Sequence, residues 1–170
     1  MLFRSEPKER PENRPFSVGG RRRGTAGDLA IDPRRANAAR LGPIVVNVEE
    51  LDSGETLRDA RIRSSYLESH RYPLATFATS AITGLPDRII PDQRYAIELR
   101  GRFELHAQSR ETTWKASVQL HGGRVYATAT TTITLSDFGV GPISIAGLVS
   151  TSNRATVSLD LVAIDPTKES

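Results

Sequence analysis

Alternation with a period of two constrains this chain more than any other feature, and it dominates from residue 94 to residue 163. In "RYAIELRGRFELH" the odd positions are Tyr95, Ile97, Leu99, Gly101, Phe103 and Leu105, while the even positions are mostly Arg and Glu and end at His106. Successive side chains of a strand point to opposite faces, so this segment reads as a long half-buried strand. "TWKASVQL" sets Trp114, Ala116, Val118 and Leu120 against Lys115, Ser117 and Gln119. "VYATATTTITL" sends Val125, Ala127, Ala129, Ile133 and Leu135 one way and four threonines the other. "RATVSLDLVAI" repeats the pattern with Ala155, Val157, Leu159, Leu161 and Ala163. His121-Gly122-Gly123-Arg124 reads as a hairpin turn, because glycine reaches positive φ without a steric penalty.

Shorter strands are predicted near 24–31, 43–48 and 74–82. One helix is predicted over 53–67, with Asp52 as its N-cap, Glu55 as the reciprocal capping partner and Leu57, Ala60 and Ser64 on one face. Pro73 stops any helix from continuing into Leu74. About seven antiparallel strands with one inserted helix close into a barrel or pack as a sandwich. The inward face carries many small residues: Ala75, Ala81, Gly101, Ala116, Ala127, Ala129, Ala155 and Ala163. They leave room for a small ligand in a closed barrel, unless Phe77, Leu99, Phe103 and Trp114 fill the space.

The length of 170 residues suits one domain with a real core. No stretch approaches the roughly 20 apolar residues of a spanning helix. The chain has no Cys, which removes disulfides, thiolate metal sites and cysteine nucleophiles. The first 40 residues hold ten Lys/Arg against five Asp/Glu, so the net charge of +3 is concentrated at the front. "MLFRSEPKERPENRP" is rich in charge and proline and reads as a flexible solvated tail over residues 1–18, ahead of one domain over 19–165. It has no apolar h-region, so no signal peptide is present as the chain stands.

No cluster for catalysis appears. His70, His106 and His121 form no spaced metal-binding pair, so no metal is expected. "GGRRRG" at 19–24 lacks the strand–loop–Lys–helix layout of a nucleotide loop and reads as a basic hairpin. There is no Gly-x-Ser-x-Gly elbow. Aromatics make up 6% of the chain and are not interleaved with arginines, so nucleic acid is not an expected partner.

"LDSGETLRDARIRSSYLESHRYPLATFATSAI", residues 51–82, resembles the signature of the YceI-like polyisoprenoid-binding proteins. Arg58-Asp59, Tyr66-Leu67-Glu68, Tyr72-Pro73 and Phe77 stand where that family has an Arg-Asp pair, an aromatic-Leu-acid turn, Tyr-Pro and the Phe that opens a strand. Gly101 with "FELHA", and "SDFGV" at 136–140, agree. The resemblance spans about residues 24–164. It implies an all-β fold: a lipocalin-like antiparallel β-barrel of about eight strands with one short inserted helix. It also implies an apolar tunnel for a polyisoprenoid lipid or quinone tail, carriage without catalysis or cofactor, and export to the periplasm or beyond. If Met1 is the true start, the cytoplasm is expected instead. The residues expected to line the tunnel are Phe77, Leu99, Phe103, Trp114, Val118, Ala129 and Phe138. The 66–73 run is expected to be a structural corner, with His70 and Arg71 in solvent.

Two departures from the family matter. Its opening strand has no clear counterpart in residues 1–18, where only "FSVGG" is suitable. That leaves either a start further upstream or an open barrel edge. An open edge would recruit a partner strand or a second copy, which makes an interaction module, and a homodimer, the alternative expectation. The family's His-Gly after a strand is here His106-Ala107.

Overall fold

The computed structural model describes residues 2–5, 17–19, 25–52, 54, 56–141 and 153–164, with side chains described from residue 27 onward except at 51 and 52. Among the described residues seven short strands come first: β1 (Leu2–Ser5), β2 (Ser17–Gly19), β3 (Thr25–Ala26), β4 (Leu29–Ala30), β5 (Arg40–Leu41), β6 (Ile44–Asn47) and β7 (Leu51–Asp52). Helix α1 (Thr56–Arg61) runs into a π-type turn over Ile62–Tyr66. Five long strands follow: β8 (Leu74–Thr83), β9 (Arg94–Leu105), β10 (Gln108–His121), β11 (Arg124–Thr134) and β12 (Arg154–Ile164).

The long strands form a curled antiparallel meander in which each pairs with the next. Register places Leu99 opposite Trp114, Ala116 opposite Ala129, and Ala129 opposite Leu159. The predicted inward set therefore forms continuous rows on one face. β6 extends the sheet beyond β8, pairing Ile44 with Phe77.

The far edge of β12 is not bare. β2 pairs with it in parallel along Ser158–Asp160, and β1 pairs with it at Ala163 and Ile164. β2 also pairs with β7, and β1 with β4, so short strands bridge β12 back toward the start of the sheet. The expected absence of a strand in residues 1–18 does not hold for the backbone, and the expected boundary at 18/19 falls inside β2. Strands this short escape a search for alternation, because three or four residues carry no clear period.

Two further expectations change, and one inward position is polar. A bulge in β8 between Thr79 and Ala81 shifts its register, so Ala81 faces solvent and Ile82 takes the inward place. The partner strand has Gly101 there; a Cβ on it would sit 2.2 Å from the Ala78 carbonyl oxygen, which only glycine permits. Thr131 lies inward among apolar neighbours and donates to the Thr113 carbonyl at 2.8 Å, which satisfies its hydroxyl. The helix is shorter than predicted, and the face shared by Leu57, Ala60 and Ser64 is exposed, Leu57 to 83%, while Asp59 and Ile62 are buried. The capping pair expected at Asp52 and Glu55 lies outside the described side chains, and residues 20–24 of the basic glycine run lie outside the described residues.

Candidate functional site

The inward rows enclose an elongated cavity of about 190 Å³. Its lining on β9 runs from Ile97 to Leu105, eight residue steps or about 26 Å along the strand. A volume that small over that length makes a slender channel rather than a round chamber. Among the described lining residues only Asp28 is ionisable, and nearly all the others are aliphatic or aromatic.

Six of the seven residues expected on the lining are placed there: Phe77, Leu99, Phe103, Trp114, Val118 and Ala129. Phe138 is not. The 3₁₀ turn Leu135–Phe138 breaks the alternation of β11, so Leu135 and Val140 reach the cavity and Phe138 packs behind Phe103 at 5.5 Å between ring centres. Trp114 lies between Phe77 and Phe103, at 5.6 and 5.5 Å. Its indole nitrogen donates to Thr112 Oγ1 at 3.0 Å, which leaves its ring free to form apolar wall.

Ile62, Leu67 and Leu85 also line the cavity without having been expected there. Ile62 and Leu67 are five apart on a π-type turn, closed by the Leu67 amide donating to the Ile62 carbonyl at 2.8 Å. That spacing lies outside the helical and strand periods searched for. Leu85 sits in a loop, where no period applies.

The 66–73 run is a corner. The Arg71 and Tyr72 amides both donate to the Glu68 carbonyl, and the Pro73 carbonyl accepts from the Val48 amide at 2.8 Å. Buried Ser69 donates to Glu49. His70 and Arg71 are exposed, with the Arg71 guanidinium over the Tyr72 ring.

The surprise at this corner is its partner. His106, expected on a polar strand face, is only 15% exposed. Its Nε2 lies 2.8 Å from Glu68 Oε2 and its Nδ1 3.1 Å from the Phe138 carbonyl oxygen, both within hydrogen-bond reach. Tyr72 meets the imidazole edge-on at 4.6 Å. The His106 hydrogen bond holds the Glu68 carboxyl below its ordinary value of 4.5, with the nearby positive charges helping and desolvation opposing. His106 and Ala107 both have positive φ, 52° and 57°, so this chain makes the tight turn without glycine. Among the described residues, no group of three His, Asp or Glu side chains is placed to hold a metal ion. No described helix is long and apolar enough to cross a membrane.

Known proteins share this architecture. BcnA from Burkholderia cenocepacia superposes with a TM-score of 0.63 at 16% identity, covering 96% of this chain and 94% of its own. A YceI protein from Campylobacter jejuni gives 0.63 at 15% identity, covering 94% and 90%. A polyisoprenoid-binding domain from Saccharophagus degradans gives 0.56 at 16% identity, covering 95% and 90%. At these identities the likeness establishes the fold. No curated protein matches the sequence. The YceI-like domain model matches residues 14–163, and the chain belongs to that family.

Proposed function

We propose that this protein binds one elongated apolar chain of isoprenoid type, such as a polyprenyl or quinone tail, and carries it without chemical change. The observation that carries this reading is the slender apolar cavity along the length of the sheet. Burial of a hydrocarbon chain contributes about 0.8 kcal/mol per methylene, so such a channel binds tightly without a catalytic or charged group. Phe77, Leu99, Phe103, Trp114, Val118 and Ala129 are the contacts, and Phe138 supports Phe103 from behind. A charged head group would remain outside, because Asp28, the ionisable residue among those described on the lining, repels an anion. The solved polyisoprenoid-binding domain of the same fold supports the reading. Placement in the periplasm belongs to it, as the compartment general to the family.

Native mass spectrometry of the purified protein, with organic extraction of what copurifies, tests the proposal directly. Ala129 faces inward with Ala116 and Leu159 opposite it. The substitution Ala129→Trp fills that waist and should abolish lipid copurification while the protein stays folded. Equal lipid in that variant would sink the reading. Recruitment of a second copy at the barrel edge is the weaker alternative, since a partner strand would have to displace β1 and β2 from β12.

A further inference from the structure

The two ends of the cavity differ. At one end the lining residues Ile62, Leu67, Leu105, Leu135 and Val140 are all buried, Val140 to 1% exposure. At the other end Asp28 is exposed, and Leu29, Ala39 and Leu85 are partly exposed. We read the first end, buried throughout, as the blind one, and the second, where Asp28 is exposed beside buried Ile31, Val118 and Val125, as the mouth.

The blind end is assembled from three segments far apart in sequence. Leu67 comes from the corner after α1, Leu105 from the end of β9, and Leu135 and Val140 from the turn after β11. Each segment places a polar group on His106 or next to it: Glu68 follows Leu67, His106 follows Leu105, and the Phe138 carbonyl lies between Leu135 and Val140. Both acceptors are oxygens that cannot donate, so the imidazole ties all three segments when it donates from both nitrogens. Gly139, at φ 66°, lets the chain pass close to the ring; a Cβ there would be 3.4 Å from Nδ1.

We propose that His106 is a positioning residue that holds the blind end of the cavity shut and so sets the longest chain the protein admits. This rests on the chain-binding reading above. An apolar chain enters at the Asp28 end, tail first, and stops where Leu67, Leu105 and Leu135 meet. His106 contributes to the position of that wall because, from the end of β9, its two ring nitrogens reach both the corner after α1 and the turn after β11.

The test uses linear isoprenoid alcohols of increasing length, from geraniol through geranylgeraniol and beyond, titrated against the full chain. In the wild type, affinity should rise about fourfold per additional buried methylene and stop rising at one length. In His106→Ala it should continue to rise for at least one further isoprene unit, while the shorter alcohols bind as they do to the wild type. Glu68→Ala should extend the limit in the same direction, and it decides the matter if His106→Ala does not fold. A limit unchanged in the folded variants overturns the proposal. So does an equal weakening at every length, which is what a general loosening of the fold would give. If the wild type binds no alcohol of the series, the chain-binding reading fails and this inference fails with it.

Discussion

His106 and His121 stand at two successive hairpin turns, and each meets a carboxylate from a distant loop. His106 reaches Glu68, and His121 reaches Asp92. The chemistry is the same and the setting is not. His106 is 15% exposed and has a second acceptor in the Phe138 carbonyl, whereas His121 and Asp92 are each 66% exposed. In water the attraction between two such groups is offset by screening and by the entropy of holding them together. Out of water, a group left without its partner bears the full cost of desolvation. Burial therefore makes one pair a tie between three segments and leaves the other as ornament on a turn.

The largest difference should appear on truncation. His106→Ala should lower the unfolding free energy by about 2 kcal/mol, the range for lost bonds that include a charged partner. Urea denaturation followed by tryptophan fluorescence measures it, since Trp114 is buried in the wall. A loss no greater than that of an exposed site would erase the comparison.

A smaller effect is expected in acid. The folded Glu68 carboxyl lies below its ordinary value, mainly because His106 donates to it. Its contribution to stability is then complete above 4.5 and is lost as pH falls through the lowered folded value. Stability profiles of the wild type and Glu68→Gln should converge in that acidic window and separate above it. Parallel profiles throughout would show that the bond does not persist in solution.

The smallest effect belongs to His121. His121→Ala should change stability by no more than about 0.5 kcal/mol, as for other exposed ion pairs. A loss as large as that of His106→Ala would mean that exposure does not separate the two sites.

Much of the architecture was legible because it is periodic. β9 to β12 are long enough for alternation to speak, and their inward rows are those read from the sequence. Six expected lining residues sit where the pattern puts them, since a strand buried on one face allows a single choice of register. The misses lie where periodicity ends. Ala81 follows a bulge, Phe138 ends a 3₁₀ turn, and the helix is too short to show which of its faces packs. The β1 and β2 pairings are set by the vacant edge of β12, which lies elsewhere in the chain.

The sequence by itself determined the all-β class, the long antiparallel meander, the apolar inner face and, through its 51–82 run, the family. Each of these is local or repeats along the chain. Tertiary structure alone decided that the cavity is slender, that its lining is buried throughout at one end, and that His106 rather than His70 meets Glu68 and the Phe138 carbonyl. Those properties depend on which residues from distant segments come within hydrogen-bond distance after the sheet has curled. His70 and His106 are both lone histidines in the sequence, and the burial produced by the fold gives His106 two partners.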